Sequence, residues 1–314
     1  MTGRAWALAG FSAIMLVALL PRAAHAWTPG THIFLGESVL ANLGRLPEWV
    51  ASLLRAFPYD FLYGNIAADT SMAKKYAPVG RHCHSWHVAQ EIYDLAETDS
   101  LKAFAFGYFS HLAADCVAHN FFVPHQLVVT SRTIALGHSY WESRFETHFG
   151  DSYARTAMDV IRLDHGAADG HLDRILSPTI FSVRTSRRLF RGMVGITETQ
   201  SWHRAFRVMA ATSRWDLSDD DVERNMALSF ELVMGLLREG PSAPARRLDP
   251  SGETSLKLAK RVRIDALREG FWNDHGRLAA TAVRHFGLPA EALPLWDSSP
   301  TQRPWRDRRS VGAA

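Results

Sequence analysis

His111, Asp115 and His119 recur at four-residue steps in a run from Phe104 to His119 that is otherwise apolar or small. On an α-helix that spacing stacks imidazole, carboxylate and imidazole along one face. Burying such groups without partners is expensive, so the chain must fold in a way that satisfies them together. The feature does not stand alone, because eight of the fifteen histidines fall between His82 and His148. His138 and Glu142 form a further pair at a step of four. One such pair on a helix is usually a surface or supporting hydrogen bond, but two within a short apolar stretch point to a metal. Neutral imidazoles and carboxylates are the nitrogen and oxygen ligands that zinc takes.

Helical periodicity recurs along the chain, alternating segments are few and no internal repeat is visible. The fold class predicted is all-α, a multi-helix bundle. Ser100 is expected to cap the helix that carries His111, with Pro124 past its end. A second helix is expected from about Ser131 to Phe149. Ser218, with Asp219, Asp220 and Asp221, opens another that Gly240 closes, and acidic residues in its first turn suit the helix dipole. Proline and glycine between Gly240 and Thr254 read as a loop, and one long helix should follow from about Leu256 to Phe286.

The apolar run from Ala5 to Leu20, then Pro21, Arg22 and Ala24-His25-Ala26, reads as a secretory signal peptide cleaved before Trp27. The run falls short of the roughly 20 apolar residues of a membrane span. The expected division is therefore a signal peptide over 1–26, one helical domain over 27–297 and a disordered tail over 298–314, with the mature chain periplasmic or secreted. Without Arg4 and Arg22 the formal charge of +3 falls to +1. That excludes a general nucleic-acid-binding field. The only cysteines, Cys83 and Cys116, allow one bridge in an oxidising compartment or two buried thiols.

Two further features complete the candidate ligands. Cleavage before Trp27 would expose an α-amine able to chelate a metal with its own carbonyl, and His32 lies five residues on. The stretch from Gly64 to Asp69 places a carboxylate in a loop, followed by His82 and His84. The ordered set Trp27, His32, Asp69, His82 or His84, His111, Asp115, His119, His138 and Glu142 resembles the zinc-dependent phospholipase C family. That family includes bacterial phosphatidylcholine-cleaving enzymes and the clostridial alpha-toxin, and shares its fold with fungal and plant single-strand nucleases. The resemblance runs from about Trp27 to Phe149.

The resemblance implies up to three zinc ions. One would be held by Asp69, His82 or His84, His111 and Asp115; a second by the Trp27 amine and carbonyl, His32 and the shared Asp115; a third by His119, His138 and Glu142. Asp69 would serve either as ligand or as general base. This chain departs from the best-known members in three places. The step from Asp115 to the next histidine is two residues shorter, so His125, after Pro124, rivals His119; helical register with Asp115 favours His119. The loop at His82 lacks the toxins' His-Phe-x-Asp form, and spacing from Asp69 leans to His82 over His84. His87 is then expected as a helix residue paired with Glu91. No membrane-binding C-terminal module is recognisable.

The implied activity is phosphodiester hydrolysis of a glycerophospholipid head group by metal-activated water. The alternatives are a single-strand nuclease or nucleotidase on the same scaffold, and a non-catalytic zinc-stabilised binding protein. Phe57, Tyr59, Phe61 and Tyr63 are either an entrance for lipid or a quaternary amine, or core. Arg184, Arg187, Arg188 and Arg191, around Leu189 and Phe190, are either a peripheral membrane-contact patch or a solvated helix face. No stable nucleic-acid complex is expected.

Overall fold

The computed structural model describes residues 27–72, 74–78, 80–130, 134–149, 151–197, 208, 212–213, 215–271 and 274–290. The expected signal peptide and tail, and the expected start of a helix at Ser131, lie outside them. Helices run α1 Pro29–Leu40, α2 Glu48–Ala56, α3 Pro58–Ala67, α4 Trp86–Asp94, α5 Asp99–Val117, α6 Val123–Thr130, α7 Ile134–Glu146, α8 Asp151–Arg162, α9 Gly166–Ile175, α10 Val183–Thr197, α11 Asp219–Glu239, α12 Glu253–Arg268 and α13 His275–Phe286. There is no strand among the described residues, and the fold is all-α as the periodicity predicts. No helix among them is long and apolar enough to cross a membrane.

The bundle is organised around α5, whose residues from Leu101 to Val117 are all buried except Lys102. A helix buried all round is a core helix, and the His111–Asp115 stripe is therefore interior. Its cap is Thr98, two residues before the expected Ser100, with the hydroxyl accepting from the Leu101 N–H at 3.3 Å. The helix does not stop before Pro124. It passes through a single π-helical turn, Ala118–Phe122, directly into α6. Pro124 is the second residue of α6, directly after the π turn, where the Val123 N–H reaches back five residues to the Ala118 carbonyl.

The contact of α3 with α5 depends on two glycines. A Cβ at Gly64 would stand 2.1 Å from the Phe104 carbonyl oxygen, and one at Gly107 would stand 2.0 Å from that of Phe61. Only bare backbone allows this approach, and it carries the Asn65 carbonyl to His111.

The second half contributes α11, capped by Ser218, whose hydroxyl accepts from the Asp221 N–H, and closed by Gly240 at φ +59. The single terminal helix expected over 256–286 is two helices. Gly270 at φ +87 turns the chain, and Asp274 caps α13 by accepting from the Arg277 N–H at 3.0 Å. The stretch from Gly240 to Arg247 coils into short 3₁₀ turns.

Candidate metal centre

Three groups of potential ligands lie next to one another in the core. His32, Asp115 and His111 form one, Asp69, His84 and His111 a second, and His119, His138 and Glu142 a third; a fourth group, which includes the partly buried His82, is His82, Cys83 and His84 and shares His84 with the second. All seven side chains from α1, α5, α7, the turn after α3 and the loop before α4 are buried, as is that of His119 in the π turn.

Asp115 is the hub. Its Oδ1 lies 3.2 Å from His32 Nε2, while Oδ2 lies 2.9 Å from His84 Nε2 and 3.1 Å from His111 Nε2. The His32 and His111 rings stack at 3.9 Å. His138 Nε2 stands 2.6 Å from Glu142 Oε1 on α7, and the His119 ring lies 5.1 Å from that of His138.

Three of the five rings, those of His84, His111 and His119, are turned by a contact on the far nitrogen. His111 Nδ1 bonds the Asn65 carbonyl at 2.8 Å, His119 Nδ1 the Pro250 carbonyl at 2.5 Å, and His84 Nδ1 faces Cys83 Sγ at 3.2 Å. These contacts leave the Nε2 atoms facing the cluster, the arrangement by which outer partners orient metal-binding histidines.

The interior fits a metal better than a closed hydrogen-bond network. His32 Nδ1 and Nε2, both Asp115 oxygens, His119 Nε2 and Glu142 Oε1 are buried without a hydrogen bond of acceptable geometry. Several come close enough in distance but at the wrong angle, and buried polar atoms are rarely left so. Convergent nitrogen and oxygen lone pairs in a dry interior are zinc chemistry.

The electrostatics agree. Burial, with the neighbouring His111, lowers the His32 pKa to about 4, so its ring is neutral and available. Burial pushes the Asp115 carboxyl up, but His111 foremost, with the imidazoles of His32 and His84 standing close to its two oxygens, more than offsets this and holds it well below the usual range. Glu142 is pushed well above the usual range by burial and by Asp69 and Asp115.

Several expectations change. The structure groups His84 with Asp69 and His111, and His82 with Cys83 and His84. His82 is only partly buried, and its Nδ1 accepts the backbone N–H of His84 at 3.1 Å. Consecutive alternate side chains of an irregular loop point differently, and spacing from Asp69 cannot say which one turns inward. His119 joins His138 and Glu142, whereas His125 lies among the charges of Asp221 and Arg224. His87 does lie on α4 but bonds the Gly80 carbonyl, and Glu91 pairs with Arg81. Cys83 and Cys116 are buried free thiols.

Phe61 and Tyr63 are core residues, and only Tyr59 is well exposed, at 60%. Within the arginine run only Arg187 is buried; Arg184 and Arg188 are exposed and Arg191 is half-buried. Arg187 is buried against Asp169 and Asp173, Arg191 pairs with Asp169, and Arg184 lies 4.0 Å from Asp173.

Trp27 is fully buried. Its indole N–H donates to the Ala114 carbonyl at 3.0 Å, and its ring packs 4.1 Å from Phe145. The start of the described chain is thus anchored one residue from Asp115.

Two contributions were not visible in the sequence. Lys74 is buried, with Nζ 2.6 Å from Asp69 Oδ1 and 3.4 Å from His84 Nε2. Burial pulls its pKa down, but Asp69 foremost, with Cys83 and Asp115, holds it above the ordinary value. The loop before α12 supplies the other. Gly252 at φ +57 packs so closely that a Cβ would meet the His119 Cβ at 2.3 Å, and Asn120 ties the same loop through the Asp249 carbonyl at 2.8 Å. An isolated lysine in a loop and a glycine 133 positions from its contact carry no local signature.

No curated protein and no solved structure matches the chain. Residues 31–177 match a family model, and every candidate ligand except Trp27 falls inside that span. That model, which covers a little under half of the chain, is described as zinc dependent phospholipase C.

Proposed function

We propose that the chain is an exported zinc-dependent phosphodiesterase that hydrolyses the head-group phosphoester of a glycerophospholipid. The observation that carries this reading is the continuous buried cluster of His32, Asp69, His84, His111, Asp115, His119, His138 and Glu142 inside the family segment. Zinc, when bound, would make a water acidic enough to ionise near neutral pH and offset charge on the phosphate. His32, His111 and Asp115 would hold one ion, and His119, His138 and Glu142 another; the family resemblance implies as many as three positions.

The remaining roles belong to the chain itself. Asp69 faces the cluster from the turn after α3 and is positioned to orient the attacking water or accept its proton. Asn65, Pro250 and Cys83 fix the rings so that binding a substrate requires little rearrangement. Cleavage before Trp27 would free an amine beside Asp115, because the indole is already pinned to Ala114.

The test is product analysis after incubating the zinc-loaded chain with phosphatidylcholine vesicles and, separately, with single-stranded DNA. The proposal expects diacylglycerol and a phosphorylated head group, abolished by a chelator and restored by zinc. Nucleotides with no lipid product would replace the lipid assignment by a nuclease one. No product from either would leave zinc a structural role.

A further inference from the structure

Resting on the zinc reading above, we infer that the ammonium of Lys74 occupies the ion position between Asp69 and His84, so that the centre holds two zinc ions and a lysine rather than three zinc ions. Of the candidate groups, Asp69, His84 and His111 is the one with a cation already in it. Lys74 Nζ stands 2.6 Å from Asp69 Oδ1 and 3.4 Å from His84 Nε2. With those two atoms 3.4 Å apart, zinc ligated by both at about 2.0–2.2 Å would lie within about 4 Å of the ammonium on whichever side it sat. An ammonium has three N–H donors and no lone pair, so it cannot join as a ligand, and two cations that close in a dry interior repel strongly.

The ligand supply points the same way. His111 is shared between the Asp69 group and the His32–Asp115 group. Its Nδ1 is committed to the Asn65 carbonyl, which leaves Nε2 for a single ion. With Lys74 on Asp69, His111 serves the ion of His32 and Asp115. Asp69, Asp115 and Glu142 are the carboxylates of the three groups, and two dications with one ammonium already exceed their charge.

Lys74 is not a rim residue that has folded inward by chance. It is 5% exposed, it opens a short 3₁₀ turn, Lys74–Tyr76, and the chain just before it is pinned by Thr179, whose hydroxyl donates to the Met72 carbonyl at 2.6 Å. Lys74 is therefore a positioning residue. It holds Asp69 as an oriented carboxylate free of metal, suited to act on water rather than to ligate.

The experiment is zinc content by plasma mass spectrometry on the full chain, purified with zinc and desalted, beside Lys74→Met and Lys74→Arg. The expected result is about two zinc per chain in the parent and Lys74→Arg, rising to about three in Lys74→Met, where Asp69 and His84 become available. Three in the parent, or an equal count in parent and Lys74→Met, overturns the inference while leaving the zinc reading intact. No zinc in the parent overturns both. If Lys74→Met does not fold, the parent count decides alone: two supports the inference and three overturns it.

Discussion

At the scale of single residues, Asp115 and Glu142 use burial in opposite ways. Asp115 is ionised among imidazoles, whereas Glu142 keeps its proton to unusually high pH because burial and the charges of Asp69 and Asp115 oppose its ionisation. Zinc requires the carboxylate, so binding at the His119–His138–Glu142 group must release that proton. Affinity there is therefore predicted to fall as pH falls. In the metal-free chain the raised folded pKa means that Glu142 favours folding at low pH, and that this contribution is lost as pH rises through it. Calorimetry of zinc binding in two buffers of different ionisation enthalpy should show proton release that is smaller in Glu142→Gln. Equal release from both proteins would contradict the assignment.

Individual ligands were legible to different degrees for physical reasons. His111, Asp115, His138 and Glu142 sit on regular helices, where a step of four fixes the shared face. His84 and Asp69 sit in irregular backbone, where no period exists, and the preference for His82 followed from spacing alone. His119 was found by helical register, although it stands in a π turn that the sequence does not mark.

At the scale of elements, the centre depends on two close approaches made by glycine. The α3–α5 crossing at Gly64 and Gly107 delivers the Asn65 carbonyl to His111. Gly107→Val would force the helices apart, with an expected loss of about 1–3 kcal/mol as an overpacked contact. Zinc affinity should fall as His111 loses its orienting partner, by about 10- to 100-fold on the scale of lost outer-shell contacts. Urea unfolding and competitive zinc titration check the two effects. A similar loss of stability with unchanged affinity would show that the crossing does not orient the ligand.

The π turn at Ala118–Phe122 joins α5 to α6 where a proline had marked a helix end, and the widened turn lies directly ahead of Pro124. Gly270 conversely broke the last helix. Its left-handed backbone leaves no trace in a periodic pattern that continues on both sides.

For the whole molecule, the all-α class and the position of the ligands in its interior followed from periodicity, since a run as apolar as Phe104 to Val117 has nowhere to go but a core. The part played by the second half did not. The loop at Pro250 and Gly252 orients His119, and Thr179 on the far side pins the chain ahead of Lys74, contacts that join residues more than 100 positions apart. Such pairings are products of the tertiary fold. The domain is accordingly expected to fold around its metal. At zinc concentrations about 100-fold above the dissociation constant each site would add about 2.7 kcal/mol. Chelation should then lower the midpoint of thermal unfolding by about 5–10 °C per site for a domain of this size, measured by calorimetry.

The central claim is that the polar interior around Asp115 is a zinc centre, and anomalous diffraction at the zinc absorption edge from crystals of the zinc-loaded chain tests it most directly. The account predicts one peak among His32, His111 and Asp115 and a second among His119, His138 and Glu142, with Lys74 between Asp69 and His84. Zinc found only at the surface, with the interior closed by hydrogen bonds or water, would contradict it.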